Sequence, residues 1–68
     1  MAVFIVKSRV SQTVTLANGM VTLPQGYSVK VNSTWSYDFP ALKSAVERDL
    51  GGPIVAMTNS DIWDWQQM

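Results

Sequence analysis

The dipeptide Asn18-Gly19, in the segment TVTLANGMVTL, most limits what this chain can fold into. A two-residue type I′ turn needs positive φ at both central positions, and Asn followed by Gly tolerates these angles best. The sequence therefore predicts a β-hairpin closed by these two residues. The expected cross-strand pairs are Leu16 with Val21, Val14 with Leu23, Thr15 with Thr22 and Ala17 with Met20. One face of the hairpin is then apolar and the other mixed, which is typical of a hairpin buried on one side.

Three other segments have the patterns of strands. YSVKVN, from Tyr27, alternates apolar and polar residues, which indicates a half-buried strand. AVFIV, from Ala2, and IVAM, from Ile54, are continuously apolar, which is typical of strands covered on both faces, and we expect them to lie side by side. Pro24 and Gly26 favour a type I turn over residues 23–26, and TNSD predicts another turn over residues 58–61.

The segment SYDFPALKSAVERDLGG carries the start and stop signals of a helix. Asp38 can cap the first turn, Pro40 is tolerated there, and Gly51 can adopt the left-handed conformation that ends a helix. The apolar stripe is Leu42, Ala45, Val46 and Leu50, and the outward residues are Lys43, Ser44, Glu47 and Arg48. Because a helix of about three turns with so narrow a stripe is unstable alone, we expect it to lie on the sheet.

The last segment, IWDWQQ, brings two tryptophans close to the C-terminal end of the sequence. In a strand, Trp63 and Trp65 share one face about 7 Å apart, whereas in a helix they would point roughly 200° apart. We therefore predict a final strand held by its tryptophans, either against this chain's own sheet or against that of a second copy.

Together these elements predict an α+β fold and a single compact domain over residues 1–68. The expected architecture is a small antiparallel sheet of about five strands with one helix packed on one face, in the order β-β-β-β-α-β-β. A chain of 68 residues buries only about 60% of its unfolded surface, so its stability margin is narrow. Since it contains no Cys and no His, self-association as a homodimer is the expected additional source of stability.

The same two missing residue types limit the possible chemistry. Nucleophile-imidazole catalysis, zinc sites and haem ligation need Cys or His side chains, which this chain does not contain. Asp61 and Asp64 do not form a catalytic carboxylate pair, because on a strand they would point to opposite faces. We therefore expect a non-enzymatic protein with no metal and no cofactor. The apolar run at Ala2 is too short for a signal peptide, and no run approaches the roughly 20 residues that cross a bilayer. A soluble cytoplasmic protein with no membrane contact is the resulting expectation.

The charges are balanced over the whole chain but not along it. Residues 1–37 contain Lys7, Arg9 and Lys30 and no acidic residue, whereas residues 38–68 have a net charge of −3. The three cations could form one basic face that steers an acidic partner.

The leading hypothesis is a small protein-interaction module that binds and occludes a protein partner, such as an inhibitor or adaptor of the kind that phages and mobile elements encode. The expected contact residues are Trp63, Trp65, Tyr37 and Trp35. For Trp35 the structural alternative is that it brackets the helix start with Phe39 and seals the edge of the core.

Two alternatives remain open. The first is a single-stranded nucleic-acid-binding protein that uses Lys7, Arg9 and Lys30 around Tyr27, with Trp35 and Tyr37 as further stacking residues. Three cations give little affinity for phosphates, and charges on an edge strand also prevent aggregation. The second alternative is a structural homo-oligomeric assembly component.

Overall fold

The computed structural model describes residues 1–58 and 61–68. Its elements follow one another in the predicted order β-β-β-β-α-β-β. They are β1 (Ala2–Ser8), β2 (Gln12–Leu16), β3 (Gly19–Leu23), β4 (Ser28–Ser33), α1 (Phe39–Leu50), β5 (Ile54–Ala56) and β6 (Trp63–Gln67). The fold class is α+β, as predicted. Of the turn predicted over residues 58–61, residues 59 and 60 lie outside the described residues.

The strands form two three-stranded antiparallel sheets rather than one. The first sheet has the order β4-β1-β6 and the second has the order β3-β2-β5. The prediction that β1 is central is confirmed, but the placement of IVAM beside β1 is wrong, because Ile54 pairs with Leu16 of β2. The two edges of β1 are occupied by β4 and by β6, and β6 forms five residue pairs with β1. The three-residue β5 would form a shorter ladder there.

The predicted hairpin forms, but its turn and its register differ from the prediction. Leu16 faces Gly19, so the turn residues are Ala17 and Asn18. The prediction of a type I′ turn at Asn18-Gly19 is wrong, because such a turn needs a positive φ at Asn18. Tyr37 is the only non-glycine residue with positive φ in the described part of the chain. The predicted and the observed register differ by two residues, so every side chain keeps its face of the hairpin. The same side chains are therefore buried in both registers, and burial does not favour one over the other. The N–H of Ala17 instead donates to the carbonyl oxygen of Pro53 at 3.2 Å, which ties the turn to the segment before β5.

The turn between β3 and β4 lies one residue later than expected. The N–H of Tyr27 donates to the carbonyl oxygen of Pro24 at 3.1 Å, so Gly26 occupies the third turn position. Its φ is 91°, which is the positive angle that a type II turn requires there.

One hydrophobic cluster joins the two sheets and the helix. Its buried members are Phe4, Val6, Val14, Leu16, Leu23, Val31, Leu42, Ala45, Val46, Ile54 and Trp63. The predicted helix ends are confirmed: the Asp38 carboxylate accepts from the N–H of Ala41 at 3.2 Å, and Gly51 has a φ of 79°. No helix in residues 1–58 and 61–68 is long and apolar enough to cross a membrane.

Candidate interaction surface

The loop between β4 and α1 presents two aromatic side chains to solvent. Trp35 is 63% exposed and Tyr37 is 72% exposed. The loop is held at both ends, because Ser33 Oγ accepts from the N–H of Trp35 at 3.3 Å and donates to Asp38 Oδ2 at 2.7 Å. The two rings therefore project from an anchored segment rather than from a free one. The expectation that Trp35 seals the edge of the core is not supported by its exposure.

The Tyr37 ring packs against a tryptophan of strand β6, which lies on the other side of β1 from β4. The ring centroids of Tyr37 and Trp65 are 5.9 Å apart, and those of Trp65 and Phe4 are 5.6 Å apart in an edge-to-face arrangement. An aromatic series thus runs from the exposed Tyr37, through the half-buried Trp65, to the buried Phe4. We call the surface formed by Trp35, Tyr37 and Trp65 the aromatic end.

Tyr37 also has an unusual backbone conformation. Its φ is 65°, in the left-handed region that bulky residues avoid. The Ser33–Asp38 hydrogen bond and the contact with Trp65 hold the residue there. Such strained positions persist only where the surrounding structure determines them, and they are concentrated at functional sites.

Trp63 belongs to the core and not to a contact surface. It lies opposite Ser8 of β1, it is 3% exposed, and its Nε1 donates to the carbonyl oxygen of Thr58 at 3.1 Å. This burial does not favour the expectation that Trp63 anchors a partner. Trp63 and Trp65 share a strand face as predicted, but Trp63 is buried whereas Trp65 is only half-buried.

The three predicted basic residues lie on or beside β1 and β4. Lys7 is opposite Ser28 and Lys30 is opposite Ile5, which places both lysines on the outer face of the first sheet. Arg9 lies 3.4 Å from Asp64 in an ion pair, and Lys7 also faces Asp64 across the strands. Two of the three cations of residues 1–37 therefore lie beside Asp64, which belongs to the acidic half of the chain, so the charge asymmetry along the sequence is partly offset in space.

Tyr27 lies on the opposite face from these lysines. It packs against the core cluster, and its hydroxyl donates to Asp49 Oδ2 at 2.5 Å. Burial, followed by this hydrogen bond and the charge of Asp49, raises the pKa of Tyr27 above its usual range. The residues assigned to nucleic-acid binding, three cations around Tyr27, are thus not assembled on one face.

The acidic side chains do not form a metal or catalytic cluster in the described ranges. No group of three or more His, Cys, Asp or Glu residues there is placed to hold a metal ion. Asp64 is engaged by Arg9 and also accepts from Gln66 Nε2 at 3.1 Å.

An open groove of about 430 Å³ separates β4 from α1. Its walls are formed by Ser28, Val29 and Lys30 of the strand and by Ala45, Arg48 and Asp49 of the helix. Sequence reasoning did not identify this groove. Lys30 and Arg48 were both recognisable as outward residues, but their proximity depends on the direction in which α1 runs along β4.

Comparisons with protein-family models, with curated proteins and with solved structures find no match to this chain.

Proposed function

We propose that this chain is a small non-enzymatic protein-interaction module that binds a protein partner through the aromatic end and occludes part of the partner's surface. The observation that carries the proposal is the exposure of Trp35 and Tyr37 on an anchored loop. Trp and Tyr dominate the binding energy of protein interfaces because each buries a large area with few rotatable bonds.

The anchoring of the loop supports the same proposal. A surface that is already ordered before binding loses little conformational entropy when its partner docks. The strained φ of Tyr37 favours a functional reason for the residue, because glycine or asparagine would adopt this conformation at lower cost. Trp65 packs against the ring of Tyr37 and adds its own ring to the aromatic end.

The proposal includes the inhibitor or adaptor role in the cytoplasm, of the kind that phages and mobile elements encode. The absence of Cys is compatible with a reducing compartment, since folding does not need disulfide bonds.

The test compares capture of proteins from the lysate of the natural host by three immobilised chains. These are the wild type, the double variant Trp35→Ala/Tyr37→Ala, and a matched control, Thr13→Ala/Thr22→Ala, which changes two exposed residues of the second sheet. Circular dichroism first establishes that all three are folded. We expect a protein that the wild type and the control retain and the aromatic variant loses. Equal retention by the aromatic variant, or no specific retention by the wild type, would contradict the proposal.

A structural homo-oligomer is the second candidate, and one observation favours it. The strands β2, β3 and β5 of the second sheet contain no charged residue, and Met20 and Val55 are 73% and 66% exposed. Uncharged edge strands with exposed apolar side chains are prone to pair with a second copy. Sedimentation of the wild type and of Met20→Lys/Val55→Lys over a concentration series tests this candidate. A wild type that remains monomeric at all concentrations excludes it.

A further inference from the structure

We infer that the groove between β4 and α1 binds an extended acidic segment of the partner, which adds to the open edge of β4 as a further strand. The inference rests on the proposed function, because it specifies the chemistry of the partner that the module binds. Its site is separate from the aromatic end.

The first argument is the hydrogen-bonding state of β4. This strand pairs with β1 alone among the described strands. The N–H of Ser8 donates to the carbonyl oxygen of Tyr27 at 2.7 Å, which sets the alternation of the antiparallel ladder. Val29 and Val31 therefore direct their backbone groups towards β1, whereas Ser28 and Lys30 direct theirs away from it.

Two hydrogen bonds on the other side of β1 agree with this alternation. The N–H of Arg9 donates to the carbonyl oxygen of Ile62, and the carbonyl oxygen of Val3 accepts from the N–H of Met68. The odd-numbered residues of β1 thus face β6 and the even-numbered ones face β4. In residues 1–58 and 61–68, no group hydrogen-bonds to the outward backbone of Ser28 or Lys30.

The second argument is the shape of the groove. Two hydrogen bonds tie the helix to the strand near its two ends, one from Ser33 to Asp38 and the other from Tyr27 to Asp49. The groove of about 430 Å³ opens beside Ser28 and Lys30, where the free backbone groups point. These strand residues offer an edge of roughly 10 Å, which suits three or four residues of an extended segment. Strand addition beside a helix is a recurring mode of peptide recognition.

The third argument is charge. Lys30 and Arg48 stand on the two walls of the groove, and Lys7 lies on the same outer sheet face as Lys30. The one acidic residue of the lining, Asp49, accepts the hydrogen bond of Tyr27. An acidic segment is therefore favoured. A second copy of this chain is disfavoured, because pairing β4 with itself would bring two basic edges together.

The geometry also sets the sequence pattern of the segment. Successive residues of an added strand point to opposite sides. Acidic side chains at alternate positions would lie beside Lys30, and small apolar side chains between them would lie beside Val29 and Ala45.

The test is a nuclear magnetic resonance titration of the full chain with a peptide of alternating glutamate and valine. We expect saturable shifts and slower hydrogen exchange at the amides of Ser28 and Lys30. Lys30→Glu should weaken binding by at least about tenfold, whereas Lys43→Glu, the same charge change outside the groove lining, should change it little. A peptide N-methylated on the alternate amides that face β4, which keeps the charges and removes those backbone donors, should not bind.

The inference is overturned if the amides of Ser28 and Lys30 do not respond at millimolar peptide. It is also overturned if the N-methylated peptide binds equally well, or if Lys43→Glu weakens binding as much as Lys30→Glu. The variant Trp35→Ala/Tyr37→Ala should retain peptide binding. If Trp35→Ala/Tyr37→Ala loses the partner in the capture assay but the peptide titration fails, only this inference is removed. If the titration succeeds but Trp35→Ala/Tyr37→Ala still captures the partner, only the proposed contact surface is removed.

Discussion

The Oε2 atom of Glu47 accepts a hydrogen bond from the backbone N–H of Ile54 at 2.7 Å. The carbonyl oxygen of the same residue accepts from the N–H of Gly51 and of Gly52, at 2.8 and 3.2 Å. Glu47 therefore ends the helix with its backbone and positions the first residue of β5 with its side chain. The expectation that Glu47 lies only on the outward side of the helix missed this link between the helix and the second sheet.

Replacing Glu47 should destabilise the fold most when no side-chain acceptor remains for this hydrogen bond. Glu47→Ala leaves the Ile54 N–H without its partner, and we expect the free energy of unfolding to fall by about 1–3 kcal/mol. Glu47→Gln keeps an oxygen acceptor and should lose less. Urea denaturation measures both, with the exposed Ser44→Ala as the control. A loss in Glu47→Ala no larger than that of Ser44→Ala would remove the proposed link.

The free energy of unfolding should fall at alkaline pH as the Tyr27 hydroxyl loses its proton. Its pKa is raised above the ordinary value of 10.0 by burial, by the hydrogen bond to Asp49 and by the charge of Asp49. The folded state thus holds the phenolic proton more tightly than the unfolded chain. The resulting stabilisation is complete below about pH 10, and it decreases as the pH rises above the pKa of the unfolded chain. Denaturant unfolding at several pH values should show a steeper alkaline decline in the wild type than in Tyr27→Phe. Equal slopes would contradict this prediction.

The tryptophans should differ sharply in their contribution to stability. Trp63 is 3% exposed and Trp35 is 63% exposed. Trp63→Ala leaves a cavity in the shared core, and we expect a loss of about 3–5 kcal/mol, enough to unfold a small chain. Trp35→Ala should change the free energy of unfolding by no more than about 0.5 kcal/mol. Circular dichroism in increasing urea distinguishes the two, and similar losses would mean that the exposure difference has no energetic consequence.

Adjacent glycines at the end of α1 provide a matched pair. An added Cβ would meet no atom within 4 Å at either Gly51 or Gly52, but Gly51 has a φ of 79° and Gly52 has no positive φ. Gly51→Ala should therefore lower the free energy of unfolding by about 1–2 kcal/mol through backbone strain alone. Gly52→Ala should leave it unchanged or raise it by less than about 1 kcal/mol, because alanine restricts the unfolded chain. Thermal denaturation of the two variants is the measurement, and equal midpoints would refute the backbone explanation.

The variant Tyr37→Gly should be more stable than the variant Tyr37→Ala, which is the reverse of the usual order for these two residue types. The φ of 65° strains any residue with a Cβ, so Tyr37→Gly should exceed Tyr37→Ala in free energy of unfolding by about 1–2 kcal/mol. Both variants lose the ring that contacts Trp65, and both should lose the partner that the wild type captures. The two chains are compared by urea denaturation and by the capture assay. Retained capture by the more stable glycine variant would show that the Tyr37 ring is not a contact.

Much of the secondary structure follows from short-range patterns in the sequence. The cap at Asp38 and the stop at Gly51 depend on backbone groups within one turn, and the alternation in β4 depends on residues two apart. The hairpin is predictable from the sequence because its two strands are adjacent in the chain. Its register is not, since Ala17 is held by Pro53, a residue far away along the sequence.

The candidate site was only partly predictable for the same reason. Trp63 and Trp65 have the same spacing and the same strand face, and the sequence alone does not indicate which ring is covered. That depends on where the second sheet and the segment at Thr58 lie over the first sheet. The pairing of Tyr37 with Trp65 joins two segments separated by the helix and the strand β5.

The sequence by itself determined the order of the elements, the ends of the helix, the faces of the strands and the absence of thiol and imidazole chemistry, because these depend on residue type and local geometry. Tertiary structure alone decided that there are two sheets, which tryptophan is buried, how the charges lie in space and where the groove opens. Each of these results from contacts between distant segments, and several such arrangements bury the same apolar residues equally well.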